Sequence, residues 1–242
     1  MPKYLTDKGC AHFFDTFIHF VESPDCPQCP SCPQCPSCPQ SPQSPQSSQT
    51  KIIYLGTNPP AGFYGILYNT EQLTIPDKYK QVVTCIQQNP ELEVWDYSQV
   101  NIGILATAGI MAKYIPLYSP PWYIEKLRSF RSEIVYDVGF NGSQSARREK
   151  VLSSLREKGF KVLTSTSWGD ERDRELSKCR ILLNIHYSTD HLIFETARCE
   201  PWFQLGVPII SELSIENDKR CILTTYDGFV DTVVRYFRQA DN

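Results

Sequence analysis

The sequence predicts an α/β protein with parallel sheets, divided into two halves. Three observations carry that prediction. From Lys51 onward, short apolar runs alternate with amphipathic segments, the pattern of strands joined by helical crossovers. The stretch Cys179 to Leu213 contains a complete strand–helix–strand unit, and parallel strands require such a crossover. The pattern then has two copies, because it restarts near Ile134 after a proline-marked connector over residues 118–132.

Composition bounds the answer. A chain of 242 residues with 41% hydrophobic and 12% aromatic residues can bury one large core or two small ones. A net charge of −3 carries no polybasic signature, which argues against a nucleic-acid partner. No apolar run approaches the roughly 18 residues of a membrane span. The start, MPKYLTDKGCAHFF, lacks a basic segment followed by an apolar one, so no secretion signal is read there and the expected setting is cytoplasmic.

Taken in order, the first segment, 1–22, holds an amphipathic helix over residues 7–22. Phe13, Phe14, Phe17, Ile18 and Val21 share a face, and Thr6 or Asp7 can cap it. Its polar face is not basic, so it suits docking on the body of the protein or on a protein partner. Residues 23–50 are of low complexity and repeat CPQ, CPS and SPQ. Proline at every third place forbids helix and interior strand and favours polyproline II or a disordered spacer. Five of the ten cysteines (Cys26, Cys29, Cys32, Cys35 and Cys38) lie here. They fall about 9 Å apart along polyproline II, too far for neighbours to share one tetrahedral zinc without turns. A spacer is the reading these distances favour; metal binding or cross-linking between chains stays open.

The first half, residues 51–132 with its connector, reads as strands at Ile52–Leu55, Gly65–Asn69, Glu93–Asp96 and 112–117. Helices are expected over 76–88, with proline in the first turn, and from a Ser98 cap to about Ala108. The second half, 133–242, reads as a strand over 134–139, a turn at 140–143, a helix over 144–158 stopped by Gly159, and a strand over 161–164. A charged helix over 170–178 reads as a solvated face. A strand at 181–186 and a helix over 192–205 follow, with Asp190 able to cap it. The last strand is expected at 220–224 and the last helix over 228–238.

Two places carry chemistry. On the 192–205 helix, Leu192, Cys199, Trp202 and Leu205 share a face with Glu195 and Arg198. Ionisable groups on an apolar stripe are costly unless paired or wetted. They form either a structural i,i+3 ion pair or the lining of a cleft at the sheet's carboxyl edge, where open α/β folds bind ligands. The turn containing Gly139 and Gly142 runs from a strand into a helix N-terminus, a position suited to anions. Arg147 and Arg148 follow in the first helical turn, where the helix dipole disfavours cations, and neither has an acid four residues on. A bound diphosphate would relieve that mismatch. Two solvated arginines is the alternative.

These residues also carry a resemblance. Asn184-Ile185-His186-Tyr187, then Glu195-x-x-Arg198, then Gly206-x-Pro208-Ile209-Ile210-Ser211-Glu212 resembles the donor half of GT-B-fold glycosyltransferases, above all short ones of large DNA viruses and some bacteria. Tyr68-Asn69-Thr70-Glu71 and Val94-Trp95-Asp96-Tyr97-Ser98 extend it into the first half. The resemblance implies two Rossmann-like domains, with a terminal helix packing back across their junction. It implies no obligatory metal or cofactor, and a UDP- or GDP-linked sugar as substrate. The acceptor is an unknown glycan, protein or small molecule. It implies catalytic roles for Glu195 and His186, with a hydrogen-bonded structural residue as the alternative for His186, and donor binding by Arg148, Gly142, Arg198 and Glu200. Glu71 and Asp96 fall on the acceptor side, with loop capping as the alternative. Many members have a second glutamate where this chain has Pro201, with Glu200 one step earlier. A catalytically inactive binding or virion-associated scaffold is the second function this pattern allows.

Overall fold

A computed structural model describes residues 4–6, 52–57, 59 and 63–240. The protein is α/β, with two five-stranded parallel sheets and seven helices among the described residues. The helix expected over 7–22 and the repeat over 23–50 lie outside the described residues.

The first sheet contains β1 (Tyr4–Thr6), β2 (Ile52–Leu55), β3 (Gly65–Asn69), β4 (Glu93–Asp96) and β5 (Ala112–Tyr114), side by side in chain order. Contrary to expectation, the fold does not begin at Lys51. Tyr4–Thr6 is already an edge strand, paired with Ile53–Leu55. Three residues are too few to show a strand's two-residue period. Helices α1 (Pro76–Gln88) and α2 (Gln99–Thr107) fall where the sequence puts them. Pro76 opens the first, and the Ser98 hydroxyl accepts from the Asn101 N–H to cap the second. Val82, Val83 and Ile86 of α1 and Leu105 of α2 cover Tyr54, Leu67 and Val94 on one face of this sheet.

The segment expected to be only a connector holds a helix. Pro121–Phe130 forms α3, and its Tyr123, Ile124 and Leu127 pack into the second half. The rest of that half comprises β6 (Tyr136–Asn141), α4 (Ala146–Glu157), β7 (Val162–Ser165), α5 (Gly169–Leu176), β8 (Cys179–Asn184), α6 (Thr196–Gln204), β9 (Ile209–Glu212), β10 (Ile222–Thr224) and α7 (Phe229–Ala240). Its sheet order is β10-β9-β8-β6-β7. The chain leaves β6 in one direction to make β7, then returns to make β8 on the other side. The two βα loops diverge there, at the position where open parallel sheets bind ligands.

Helices cover both faces of this second sheet. On one, Val151, Leu152 and Leu155 of α4 meet Phe229, Val233 and Phe237 of α7 over Val138, Phe140, Ile181, Leu183 and Ile185. The terminal helix therefore packs on its own half, whereas the resemblance implies that it crosses back over the junction. On the other face, α3, Leu176 of α5, and Cys199 and Trp202 of α6 cover Leu182 and Ile209.

Three further expectations are corrected. The helix expected over 192–205 begins only at Thr196. Leu192 stands outside it and is exposed, because the preceding loop is drawn to the first half. Ile193 is buried among Ile53, Leu55, Ile66 and Tyr68 on the second face of the first sheet. Asp190 caps no helix; its carbonyl accepts from the Thr74 hydroxyl at 2.7 Å. The helix expected over 170–178 is solvated on one side only, where Glu171 and Arg174 are exposed. Asp173 is buried and accepts from the Tyr123 hydroxyl at 2.7 Å and from Arg172 Nε at 2.8 Å.

Candidate functional site

A cleft of about 450 Å³ opens at the β6/β8 divergence. Its floor is Asn141, Gly142 and Ser143, the end of β6 and the loop after it. Tyr187 and His191 come from the loop after β8, and Glu195, Ala197 and Arg198 from the start of α6. Trp168 and Arg172 contribute from the start of α5, while Ile75 and Lys78 form a wall from α1 of the first half.

Each of these helices meets the cleft at its N-terminal end. Ser145 caps α4 by accepting from the Arg148 N–H. The capping positions of α1, α5 and α6 (Ile75, Trp168 and Glu195) make no side-chain cap bond. Uncapped N–H groups and helix dipoles both favour an anion.

Arg148 is the centre of the site. It is 2% exposed. Its Nε donates to the Ile185 carbonyl at 2.9 Å and its Nη1 to the Ser143 carbonyl at 2.8 Å. It has no carboxylate partner among the described residues. Burial, and then the neighbouring charge of Arg198, push its pKa down to about 10. Arg198 donates through Nη1 to Asn184 Oδ1 at 2.9 Å, and its Nη2 is 3.8 Å from Glu195 Oε2. Both guanidinium groups approach Gly142. A β-carbon there would lie 3.1 Å from Arg198 Nη2 and 3.2 Å from Arg148 Nη1. Gly142 also has φ +149°, a conformation that disfavours other residues. Two cations thus share one loop with a single nearby acid, Glu195, among the described residues lining the cleft.

Of the residues the sequence singles out, the structure brings Arg148, Gly142, Arg198 and Glu195 together. It places the others elsewhere. His186 is buried: its N–H donates to Glu212 Oε2 at 3.0 Å, and its Nε2 lies 3.1 Å from Ser214 Oγ. Burial lowers its pKa. Glu200 accepts from Arg220 Nη2 at 2.7 Å and from Gln204 at 3.2 Å, away from the cleft lining. Glu71 pairs with Lys78 at 3.1 Å. Asp96 is fully buried and accepts from Asn69 at 2.7 Å, the Ser98 N–H at 2.8 Å and Asn101 at 3.1 Å. Burial raises its pKa to about 7 against those donors. Neither arginine of the 147–148 pair is solvated. Arg147 binds Glu212, donates to the His186 carbonyl at 3.1 Å, and lies 3.8 Å from the Tyr226 ring centroid.

Sequence reasoning missed His191, Trp168, Arg172, Lys78 and Gln72. The first three sit on the loops or first turns that follow β7 and β8, and sheet order was the missing signal. The Gln72 side chain bonds a residue 123 positions away in the chain, a contact for which one sequence carries no signal.

The chain is 34% identical over 188 residues to uncharacterized protein L140 of Acanthamoeba polyphaga mimivirus, covering 72% of this chain and 59% of that one. It is 33% identical over 183 residues to uncharacterized protein L138 of the same virus, covering 71% of this chain and 20% of that one. Uncharacterized protein R358 is 34% identical over 170 residues, covering 61% and 59%. The chain thus spans about three fifths of two of these relatives and one fifth of the other. No family profile and no solved structure matches it. Among the described residues, no helix is long and apolar enough to cross a membrane.

Proposed function

We propose that the cleft binds a nucleoside-diphosphate sugar, UDP- or GDP-linked, and that the protein is a cytoplasmic glycosyltransferase with a GT-B-like pair of domains. The observation that carries this reading is the pair of guanidinium groups, Arg148 and Arg198, facing Gly142 at the sheet's divergence point. Together they offer charge-assisted hydrogen bonds to a diphosphate and stabilise it as it leaves. Glu195 then faces the sugar or ribose hydroxyls. Among the imidazoles, His191 lines the cleft, so it takes the place first given to His186. The acceptor is a glycan, protein or small molecule approaching from the side of Ile75 and Lys78.

A second reading, binding without turnover, is favoured by one observation. Glu71, Asp96, Glu200 and His186 do not line the cleft: Glu71 is paired with Lys78 of its wall, and the other three are engaged elsewhere. Glu195 and His191 are left as the proton acceptors that line it. Incubation with UDP-glucose and other sugar nucleotides, followed by chromatography of released UDP or GDP, separates the two readings. Turnover lost in Arg148→Met and Glu195→Gln supports the transferase. Saturable calorimetric binding with no release supports the binding protein. No binding at millimolar ligand overturns both.

A further inference from the structure

We propose that Gln72 is a positioning residue for this cleft: it holds the Glu195 carboxylate off Arg198, so that Arg198 stays open to an anionic ligand. The inference rests on the donor-site reading above. Gln72 comes from the first half, just after β3, and is 6% exposed. Its Oε1 accepts from the Ile193 N–H at 3.0 Å, which fixes the orientation of the carboxamide. Its Nε2 must then face Glu195, and it donates to Oε1 at 2.9 Å.

Glu195 and Arg198 are spaced to close into a hydrogen-bonded ion pair, yet the pair stays long. The nearest approach is 3.8 Å, beyond hydrogen-bond length. Neutral partners occupy both sides instead. Gln72 holds the carboxylate, and Asn184 Oδ1 holds Arg198 Nη1 at 2.9 Å. The other nitrogen, Nη2, is left beside Gly142. Without the Gln72 donor, Glu195 is free to swing onto Nη2 and compete with a phosphate for it. The first half thereby sets the electrostatics of a site built mainly by the second.

A double-mutant cycle tests this, with UDP as the calorimetric probe and thermal unfolding to confirm folding. Gln72→Ala is expected to weaken UDP binding about tenfold, the equivalent of one charge-assisted contact. In a Glu195→Gln background the same substitution is expected to change affinity less than about twofold, because the competing charge is gone. Gln72→Glu keeps the acceptor for Ile193 but loses the donor, and is expected to weaken binding as Gln72→Ala does. An equal loss in both backgrounds would mean that Gln72 is only structural and would overturn the proposal. So would unchanged affinity in Gln72→Glu. If wild type binds UDP, Arg148→Met abolishes binding, and Gln72→Ala has no effect, the positioning role fails while the donor site stands. If wild type itself does not bind millimolar UDP, both fail.

Discussion

Arg148 is a cation taken out of water whose side chain has only carbonyl oxygens as hydrogen-bond partners among the described residues. Burying a charge without an opposite one costs stability, and replacing such a group by an apolar side chain of similar size is often neutral or stabilising. Arg148→Met is therefore expected to leave the stability of the ligand-free protein unchanged or raise it, by up to about 1 kcal/mol in urea denaturation, while abolishing nucleotide binding. A large loss of stability would show instead that the arginine is a structural element. Asp96 makes a prediction of a different kind. Folded, it titrates near 7; unfolded, near about 3.9. Between those values the folded state holds the proton more tightly. Its contribution to stability is therefore fully present below about pH 4 and is lost as pH rises through 7, with a slope of at most about 1.4 kcal/mol per pH unit. Urea titrations from about pH 5 to about pH 8 should show that fall in wild type and a shallower one in Asp96→Asn. Identical slopes would contradict it.

At the scale of elements, the loop after β6 and the first turn of α4 act as one unit. Gly142→Ala would strain the backbone and press a methyl group on both guanidinium groups. It is expected to cost about 1 kcal/mol of stability and to weaken UDP binding, measured by denaturation and calorimetry. These elements are also where the sequence was most legible. The strand, the glycine turn and the misplaced arginines all lie within a few residues, so local rules suffice to expect an anion site. The start of α6 was less legible. Its apolar period runs back to Leu192, but tertiary packing draws Ile193 into the other half and unwinds that turn. The roles of His186 and Glu200 were obscured for the same reason. Their partners, Ser214 and Arg220, are 28 and 20 residues away in the chain.

For the whole molecule, Ile193 and Gln72 couple the two halves. Ile193→Ala removes a side chain that is 1% exposed and is expected to cost about 2–4 kcal/mol, seen as a lower urea midpoint. The alternation of strands and helices announced two parallel sheets. Their strand orders did not follow from it, because nothing local states that β8 returns to the far side of β6. That return creates the cleft. The most direct measurement of the central claim is a crystal structure of the protein with UDP. The diphosphate is expected between Arg148 and Arg198, above Gly142. Nucleotide bound elsewhere, or an empty cleft at saturating UDP, would contradict it.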